Sequence, residues 1–384
     1  MNDELRIAVH QGRAGLAELQ ADWDRLASGL PEKRFVHCFH WYRSYLDALE
    51  TDPQSVHFVA LYRADLPVAI FPLKRSARTM AGITMRILEI PRHSHSDLRD
   101  FIYARSPENT GLISQLLSHL RQQRDIRWDW LSMTNVPEDS AAAFSLASSP
   151  PARLVTVQHG TSKSVPCCTP QGTALDRLSG NFRRNLRRLA RRCEEQGTLT
   201  YHSYREPQDL QRAFEQFLDV EASSWKGKTG TGSAIRLDPS TVRFYQELMT
   251  SFSATRDCFI NLLMLNDKCI AGQFCLLSNG VLNVLKIGYL EEYENVAPGN
   301  LLFERLFRDC SPDGPFHTVN FVTGAAWNDV WKPVSLRVMN YHLFNCTWRG
   351  ILGFTALGAR NLLRAIGRKL PSKRPAKNAR SEEA

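Results

Sequence analysis

Two segments of this chain resemble each other and constrain its fold more than any other feature. Residues 58–73, FVALYRADLPVAIFPL, align without gaps to residues 260–275, INLLMLNDKCIAGQFC. Each segment has an apolar run, a short polar turn and a second apolar run, which is the pattern of a β-hairpin. A helical segment and a further apolar strand follow later in both copies. The repeated order favours a duplicated architecture of mixed α/β (α+β) class.

A chain of 384 residues fits two domains. We predict a first domain over 1–165, a second over 166–345, and a tail over 346–384. Helices are predicted near 16–27, 39–49, 109–123, 173–195, 208–223, 239–254 and 299–310. Strands are predicted near 56–62, 67–75, 129–133, 258–265, 268–278, 281–289 and 318–322. The Ser/Ala/Pro-rich stretch 140–151 is expected to be a helix end and a loop.

The cysteine pattern and the absence of long apolar runs indicate the cellular compartment of the protein. No window resembles a membrane span, and MNDELRIAVH lacks the apolar core of a signal peptide. The nine cysteines are odd in number and form no C-x-x-C pair, unlike a disulfide framework or a zinc ribbon. We therefore expect a cytoplasmic protein with no metal site, and we interpret HSHSD at 93–97 as an ordinary loop.

The net charge of +9 is concentrated in two places. Segment 181–192 contributes +6 and segment 345–384 contributes +7, so the remaining residues together carry −4. A mildly acidic body with two basic features predicts local anionic partners.

The tail segment WRGILGFTALGARNLLRAIGRKL has the spacing of a basic amphipathic helix, followed by a polar end expected to be disordered. Its apolar residues are Leu352, Leu362, Leu363, Ile366 and Leu370, and its regularly spaced cations are Arg360, Arg364 and Arg368. Two interpretations remain open. The helix either lies on a membrane surface or docks on the protein core.

The first basic segment, NFRRNLRRLARR, predicts a helix with one apolar stripe and flanking guanidinium groups. The stripe comprises Phe182, Leu186, Leu189 and Cys193. Arg184 and Arg188 lie on one flank, where guanidinium groups can bind phosphate with two hydrogen bonds. Candidate ligands are the phosphates of CoA, a tRNA acceptor stem or acidic lipid headgroups. The alternative is a solvated charged face.

A third segment, EASSWKGKTGTGSAI at 221–235, ends a helix at an aromatic residue and continues into a small polar loop. Glu221 and Trp225 lie one helical turn apart and share a face. Glu221 could orient an amine and Trp225 could form a pocket wall. A flexible connector is the alternative interpretation.

Two further segments carry candidate ligand-binding groups. Pro298-Gly299-Asn300 opens a helix whose free N–H groups and positive dipole end suit a pyrophosphate. Segment 321–333 is a strand followed by a Gly-containing aromatic loop with Asp329 and Lys332 as its ionisable groups.

Taken together, NFRRNLRRLARRCEEQG, then E-x-x-x-W-K-G-x-x-G-x-x-S-A, then APGNLL resemble the CelD/BioF-like acetyltransferases. That family is a branch of the GNAT superfamily and is related to the FemAB peptidyltransferases. The resemblance is clearest from 173 to 345. FVHCFHWYRSYLDAL and SDLRDF also resemble the first domain of the family.

The resemblance implies tandem GNAT-like acyltransferase domains that use acetyl-CoA or another acyl-CoA as co-substrate, without a metal. An amine would attack the thioester directly, helped by a base and by backbone N–H groups. The implied pyrophosphate-binding residues are Pro298, Gly299, Asn300 and Leu301. The candidate catalytic residues are Glu221, Lys226 and Asp329, and the candidate substrate-binding residues are Trp225, Arg184 and Arg188.

Two departures from the family pattern affect these expectations. Asn320 stands where the family usually has Asp, and Trp327-Asn328-Asp329 stands where it usually has a Tyr-Lys pair. We expect an acyl-CoA-dependent N-acetyltransferase, or O-acyltransferase, acting on a sugar, an amino compound or a cell-envelope or exopolysaccharide precursor. The alternatives are an aminoacyl-tRNA-dependent FemAB-type transferase and a degenerate GNAT-fold module at the membrane surface. Peripheral contact with an anionic inner membrane would use the tail helix.

Overall fold

The computed structural model describes residues 5–80, 82–95, 97–311 and 313–369, with side chains as far as residue 361. Within these ranges the strands form a twelve-stranded sheet and a separate two-stranded ribbon. The strands are β1 Arg6–Gln11, β2 Val56–Arg63, β3 Leu66–Met80, β4 Ile83–Glu89, β5 Trp130–Pro137, β6 Leu154–Pro166, β7 Cys168–Thr169, β8 Gly172–Thr173, β9 Leu199–Tyr204, β10 Cys258–Leu265, β11 Lys268–Ser278, β12 Val281–Tyr289, β13 Thr318–Asn320 and β14 Val334–Phe344.

The order of the large sheet is β1-β2-β3-β4-β5-β14-β6-β13-β12-β11-β10-β9. Read from one edge, the strands run in chain order from β1 to β5. Read from the other edge, they run in chain order from β9 to β13, as the duplicated hairpin predicted. Within each run the last pair, β4 with β5 or β12 with β13, is parallel. At the centre the halves exchange strands, since β6 lies beside β13 and β14 lies beside β5. The sheet is therefore continuous across both halves, and the domain boundaries at 165 and 345 stay a prediction.

Helices lie around the sheet and join its strands. The α-helices are α1 Gly12–Glu18, α2 Gln20–Ser28, α3 Phe39–Ser44, α4 Leu112–Gln122, α5 Ala141–Ser148, α6 Gly180–Glu194, α7 Pro207–Ala222, α8 Pro239–Ser253, α9 Pro298–Arg308 and α10 Trp348–Lys369. A π-helical turn, Tyr45–Leu49, continues α3.

Several expectations about these elements need correction. Thr173 ends strand β8, residues 174–178 form turns and a bend, and α6 begins only at Gly180, because Ser179 caps it by accepting the Phe182 N–H. The stretch 140–151 contains a complete helix, α5, capped by Ser140. Strands β1, β4, β6, β9 and β14 were not predicted, since their sequences alternate apolar and polar residues too weakly to stand out.

One apolar cluster joins the two halves. It contains Trp23 and Phe58 from the first half together with Phe217 and Phe274 from the second. Trp41 of α3 also packs edge-to-face with Phe244 of α8, with ring centroids 5.3 Å apart. The halves therefore share a core, and each half supports the shape of the other.

The sulfur atoms of Cys167 and Cys310 form a disulfide, with the Cα atoms 5.6 Å apart. The odd cysteine count and the absence of a C-x-x-C pair had argued against a disulfide framework, so this bond was not predicted. The two residues are 143 positions apart, and they meet because the segment following α9 ends beside β6. The other cysteines are free.

The tail segment is helical, as predicted, and the described part of α10 docks on the sheet. Phe354 and Leu357 pack against the cluster of Met85 and Phe344. A Cβ at Gly353 would lie 2.5 Å from the Met85 Cε atom and 2.9 Å from the Phe344 ring, so a larger residue would force these side chains or the helix to shift. The predicted disordered end and the side chains of Leu362 and its followers lie outside the described residues. Among the described helices, none is long and apolar enough to cross a membrane.

Candidate functional site

The two parallel strand pairs differ in what occupies the space beside them. In the first half, residues 99–102 fill the gap beyond β4. Arg99 N–H donates to Asn135 O, and Ile102 forms a bridge with Ile70 of β3. In the second half β12 and β13 pair only over Val281–Asn283 and Thr318–Asn320, and β12 then continues to Tyr289 with no strand pairing on that side within the described chain. A gap therefore opens along the second part of β12.

A β-bulge lies in β12 at this gap. Phe274 of β11 pairs with Lys286, whereas the next residue, Cys275, pairs with Val284, so Leu285 is the extra residue. Bulges bend a strand, leave backbone groups unpaired and occur often next to active sites. The equivalent strand of the first half, β4, pairs with β3 without a shift of register.

Helix α9 begins at the end of the loop that follows β12. Ala297, its N-cap, has a left-handed backbone with φ 47°, and no side chain caps the helix. Pro298 has no N–H, and the N–H groups of Asn300 and Leu301 both donate to Ala297 O. The Gly299 N–H donates to no group among the described residues. A Cβ on Gly299 would make ordinary contacts with Ile287 and Tyr289, so this helix start faces the end of β12.

Helix α6 packs its apolar stripe directly on this segment. Leu189 and Cys193 share a cluster with Val296, Leu301 and Leu302. The predicted stripe is therefore confirmed at its buried positions, and Phe182 completes it against Trp331. The outer face of α6 carries a shallow cavity of about 360 Å³. Its walls are Arg184, Arg187, Arg188, Arg191, Arg192 and Glu195.

Glu221 and Lys226 form a buried ion pair at the end of α7. The Lys226 Nζ atom lies 3.3 Å from Glu221 Oε1 and donates to Ile287 O at 2.6 Å. The Ile235 N–H donates to the other Glu221 oxygen at 2.8 Å. Burial lowers the pKa of Lys226, although the Glu221 carboxylate opposes this shift. Both side chains thus have hydrogen-bond partners. Through its bond to Ile287 O, Lys226 links the 224–234 loop to the bulged strand β12.

Trp225 lies on the same side, half-buried. Its ring is 5.0 Å from that of Tyr289, and Lys226 Nζ lies 5.4 Å from the Trp225 ring centroid. Tyr289 also neighbours Gly299. Trp225, the predicted pocket wall, therefore lies beside the predicted pyrophosphate site at the start of α9.

Asp329 has different surroundings. Its side chain is 63% exposed and pairs with Lys163 at 2.6 Å, and Lys163 also donates to Ala325 O. The contacts of Asp329 therefore do not join it to Glu221 or Lys226.

Asn320, at the end of β13, joins a polar network where the family pattern has Asp. Its amide donates to Asn283 Oδ1, and its oxygen accepts from Ser162 and from the Val322 N–H. Val322 itself has φ 64°, a left-handed conformation that β-branched residues rarely adopt. It lines a cavity of about 300 Å³ between the halves. Strain of this kind is concentrated at functional sites.

Sequence reasoning missed Lys286, which lies beside the bulge. A lysine inside the apolar strand VLNVLKIGY was the available signal. Burial and the nearby Lys226 lower the pKa of Lys286 to about 8, against the opposing influence of Asp97 and Glu221. The described residues include no cluster of His, Cys, Asp or Glu that could hold a metal ion.

Comparisons with known proteins bear on the fold and on which half carries the recognisable domain. The model of the acetyltransferase (GNAT) domain family matches residues 180–332, which include α6, the Glu221 segment, the gap and α9. The structure of FemX superposes with a TM-score of 0.56 at 11% identity, covering 85% of this chain and 96% of that one. The chain has a GNAT fold. The structure of L-PGS from Bacillus licheniformis gives a TM-score of 0.51 at 12% identity, covering 87% of this chain and 95% of that one. A sequence search of curated proteins found no match.

The two GNAT-like halves are therefore unequal. The second contains the domain match, the bulged strand, the gap and the uncapped helix start. In the first, residues 99–102 close the corresponding gap. The open gap and the uncapped helix start therefore both lie in the second half.

Proposed function

We propose that the second half transfers an acyl group from a CoA thioester to an amine or hydroxyl acceptor. The observation that carries this proposal is the gap along bulged β12, with the uncapped start of α9 at its end. A long thioester cofactor fits such a groove with its pyrophosphate at the helix start and its acyl group at the bulge.

The chemistry follows from the same groups. The unpaired backbone at Leu285 would polarise the thioester carbonyl, as oxyanion-binding N–H groups do. The guanidinium groups of Arg184 and Arg188, on the helix that packs against the α9 start, would attract the remaining phosphates of CoA. Glu221 and Lys226 would hold the loop and β12 in register instead of exchanging protons, because each already has its partners.

Acetyl-CoA binding, measured by calorimetry on wild type and on Gly299→Trp, tests the proposal. Wild type should bind in the micromolar range, and the indole at 299 should abolish binding by covering the helix start. Gly111→Trp is the matched control, since Gly111 precedes the equivalent helix α4 and has nothing within 4 Å of its Cβ position. Absence of binding by wild type to acetyl-CoA and to longer acyl-CoAs would refute the proposal.

For the acceptor, we propose a sugar, an amino compound or a cell-envelope or exopolysaccharide precursor, as in the CelD/BioF-like branch. The support is the sequence resemblance of 181–197, 221–234 and 297–302. Mass spectrometry of acylated products from a panel of amino sugars and amino acids tests this part. Acylation confined to unrelated amines, such as polyamines, would contradict it.

The exposed arginine face of α6 favours one alternative, an aminoacyl-tRNA-dependent transferase. Phosphate contacts make nucleic-acid affinity fall steeply with salt. Salt-sensitive binding of charged tRNA, lost in Arg184→Ser/Arg188→Ser and accompanied by no binding of acyl-CoA, would replace the first proposal by this one.

The tail helix supports a further part of the proposal, peripheral contact with an anionic membrane. Opposite its docked face, Trp348, Ile351 and Leu352 are 62%, 47% and 41% exposed. The tail segment 345–384 also carries +7. Such a face can insert between acyl chains while its cations meet anionic headgroups. Co-sedimentation with phosphatidylglycerol-containing vesicles should be lost in Trp348→Ser/Ile351→Ser; equal sedimentation of this variant and wild type would refute the contact.

A further inference from the structure

Three polar groups beside the proposed acyl site have no partner among the described residues. The hydroxyl of Tyr245 is fully buried and forms no hydrogen bond, and the Nδ1 atom of His95 is buried in the same state. The amino group of Lys286 forms no hydrogen bond or ion pair in the described part of the chain. Buried polar groups in folded proteins nearly always have partners, so a group of three without them indicates a place for a ligand.

We call the region around Asp97, His95, Tyr245 and Lys286, where the two halves meet, the polar hollow. Tyr245 packs on Phe274 with ring centroids 5.1 Å apart, and Phe274 of β11 pairs with Lys286 of β12. The rings of His95 and Tyr245 are 5.7 Å apart. Asp97 lies close enough to act electrostatically on both Tyr245 and Lys286. Its carboxylate also forms no hydrogen bond or ion pair within the described residues. Lys286 itself acts on His95, whose pKa burial and that cation lower to about 3.

Every element around Lys286 contributes to its electrostatic environment. The α7 end brings Lys226 and Glu221, which are paired with each other. The first-half loop brings Asp97, His93 and His95. Helix α8 brings the neutral Tyr245. The charge left unpaired is therefore that of Lys286 facing Asp97.

Asp97, on the first-half side of the polar hollow, lines cavities at the protein surface. Two cavities, of about 300 Å³ and 470 Å³, share Asp97 and Asn135 in their walls. The smaller one also reaches Val322 and Gly324, which follow β13. These cavities give an acceptor a route between the two halves as far as Asp97.

We propose that this hollow is the acceptor subsite for a primary amine, in which Asp97 holds the ammonium group and the Lys286 amine takes its proton. The proposal rests on the acyl transfer proposed above. In this proposal the first half contributes Asp97 and His95 to the active site of the second half. A lysine in the ammonium form could not accept the proton. Burial of Lys286 favours its neutral form and so enables it to act as a base.

In this step one carbon–nitrogen bond forms and one carbon–sulfur bond breaks. The acceptor ammonium loses one proton to the Lys286 amine, and its nitrogen lone pair forms a bond to the thioester carbonyl carbon. Collapse of the tetrahedral adduct breaks the carbon–sulfur bond, and the second nitrogen proton passes to the departing thiolate. The products are an amide, the CoA thiol and protonated Lys286, which returns its proton to solvent.

Two small nucleophiles test this assignment without knowledge of the natural acceptor. Ethanolamine is an ammonium ion at neutral pH and needs a base, whereas hydroxylamine is largely uncharged there and does not. Release of CoA thiol from acetyl-CoA is measured with each, on wild type, Lys286→Met and Lys286→Arg. We expect both variants to lose about 100-fold with ethanolamine and less than threefold with hydroxylamine.

Two controls separate this role from a structural one. Lys268→Met removes an exposed lysine of the adjacent strand β11, paired with Glu292, and should change neither reaction. Tyr245→Phe removes a hydroxyl that has no partner, so the fold should keep its stability while KM for ethanolamine rises. The rate with ethanolamine in wild type should rise with pH through about 8, where Lys286 becomes neutral, and this step should be absent in Lys286→Met.

The outcomes are distinguishable. Equal losses with both nucleophiles, or no loss with either, would overturn the role of Lys286 while leaving acyl transfer intact. Binding of acetyl-CoA without reaction of either nucleophile in wild type would overturn the acceptor subsite alone. Absence of acetyl-CoA binding would overturn the proposed function and this inference together.

Discussion

Replacing Glu221 by Gln removes the charge partner of a buried lysine and should be among the most destabilising single changes in the chain. The Glu221 side chain is fully buried, and Lys226 is 15% exposed with its Nζ atom 3.3 Å away. At an effective dielectric constant of about 20, Coulomb's law gives about 5 kcal/mol for this separation. Breaking a buried pair by removing one partner costs about 3–5 kcal/mol, because the other charge remains without compensation.

The assay is urea unfolding of Glu221→Gln, Lys226→Met and the double variant at neutral pH. Each single variant should lose about 3–5 kcal/mol of unfolding free energy, and the double variant should recover most of the loss. The exposed pair of Lys268 and Glu292 is the matched control. Its atoms are only 2.6 Å apart, but both side chains are more than half exposed, so coupling should stay below about 1 kcal/mol.

The pH dependence supplies a second readout. Lys226 has a pKa in the folded state below its ordinary value of 10.5, so the unfolded chain binds the proton more tightly. The contribution of this group to stability therefore rises with pH between the folded pKa and 10.5, and the rise should vanish in Lys226→Met. A loss below about 1 kcal/mol in Glu221→Gln, or additive single variants, would refute the reasoning.

Three further predictions concern the tail helix, the disulfide and acid stability. Gly353→Leu should lower the unfolding free energy by about 1–3 kcal/mol by pushing α10 off the sheet. Gly358→Ala, with nothing within 4 Å, should raise it by about 1 kcal/mol in the same urea assay. Thiol titration in denaturant should find seven reactive groups before reduction and nine after it; nine before reduction would contradict the Cys167–Cys310 bond. Burial raises the pKa of Asp129, but the hydrogen bonds it accepts outweigh this and lower it. Stability should therefore fall as pH drops below about 3.8 toward the folded pKa, less so in Asp129→Asn.

Strong apolar periodicity explains what could be predicted. Strands β10, β11 and β12 match the predicted bounds, because their apolar runs are long and bordered by clear turns. The Arg-rich helix was recognisable from the spacing of Leu186, Leu189 and Cys193. The proximity of Trp225 to the α9 start was not predicted, because it depends on the packing of segments that are far apart in the chain.

The strand exchange at the centre of the sheet could not be predicted. Strands β6 and β14 carry Ser, Thr, His and Asn at many positions. No local sequence pattern indicates which half of the sheet each strand pairs with. Their partners are chosen by the free edges of β5 and β13, which exist only once both halves have formed.

The sequence by itself determined the duplicated order of elements, the apolar stripes and the helix start at Pro298, because propensity and periodicity act over a few residues. The tertiary structure decided which half keeps an open gap, that Glu221 and Lys226 are each other's partners, and that Asp97 of the first half acts electrostatically on Lys286 of the second. Burial and charge interactions depend on residues far apart in the chain, and only the packed molecule sets the distances between them.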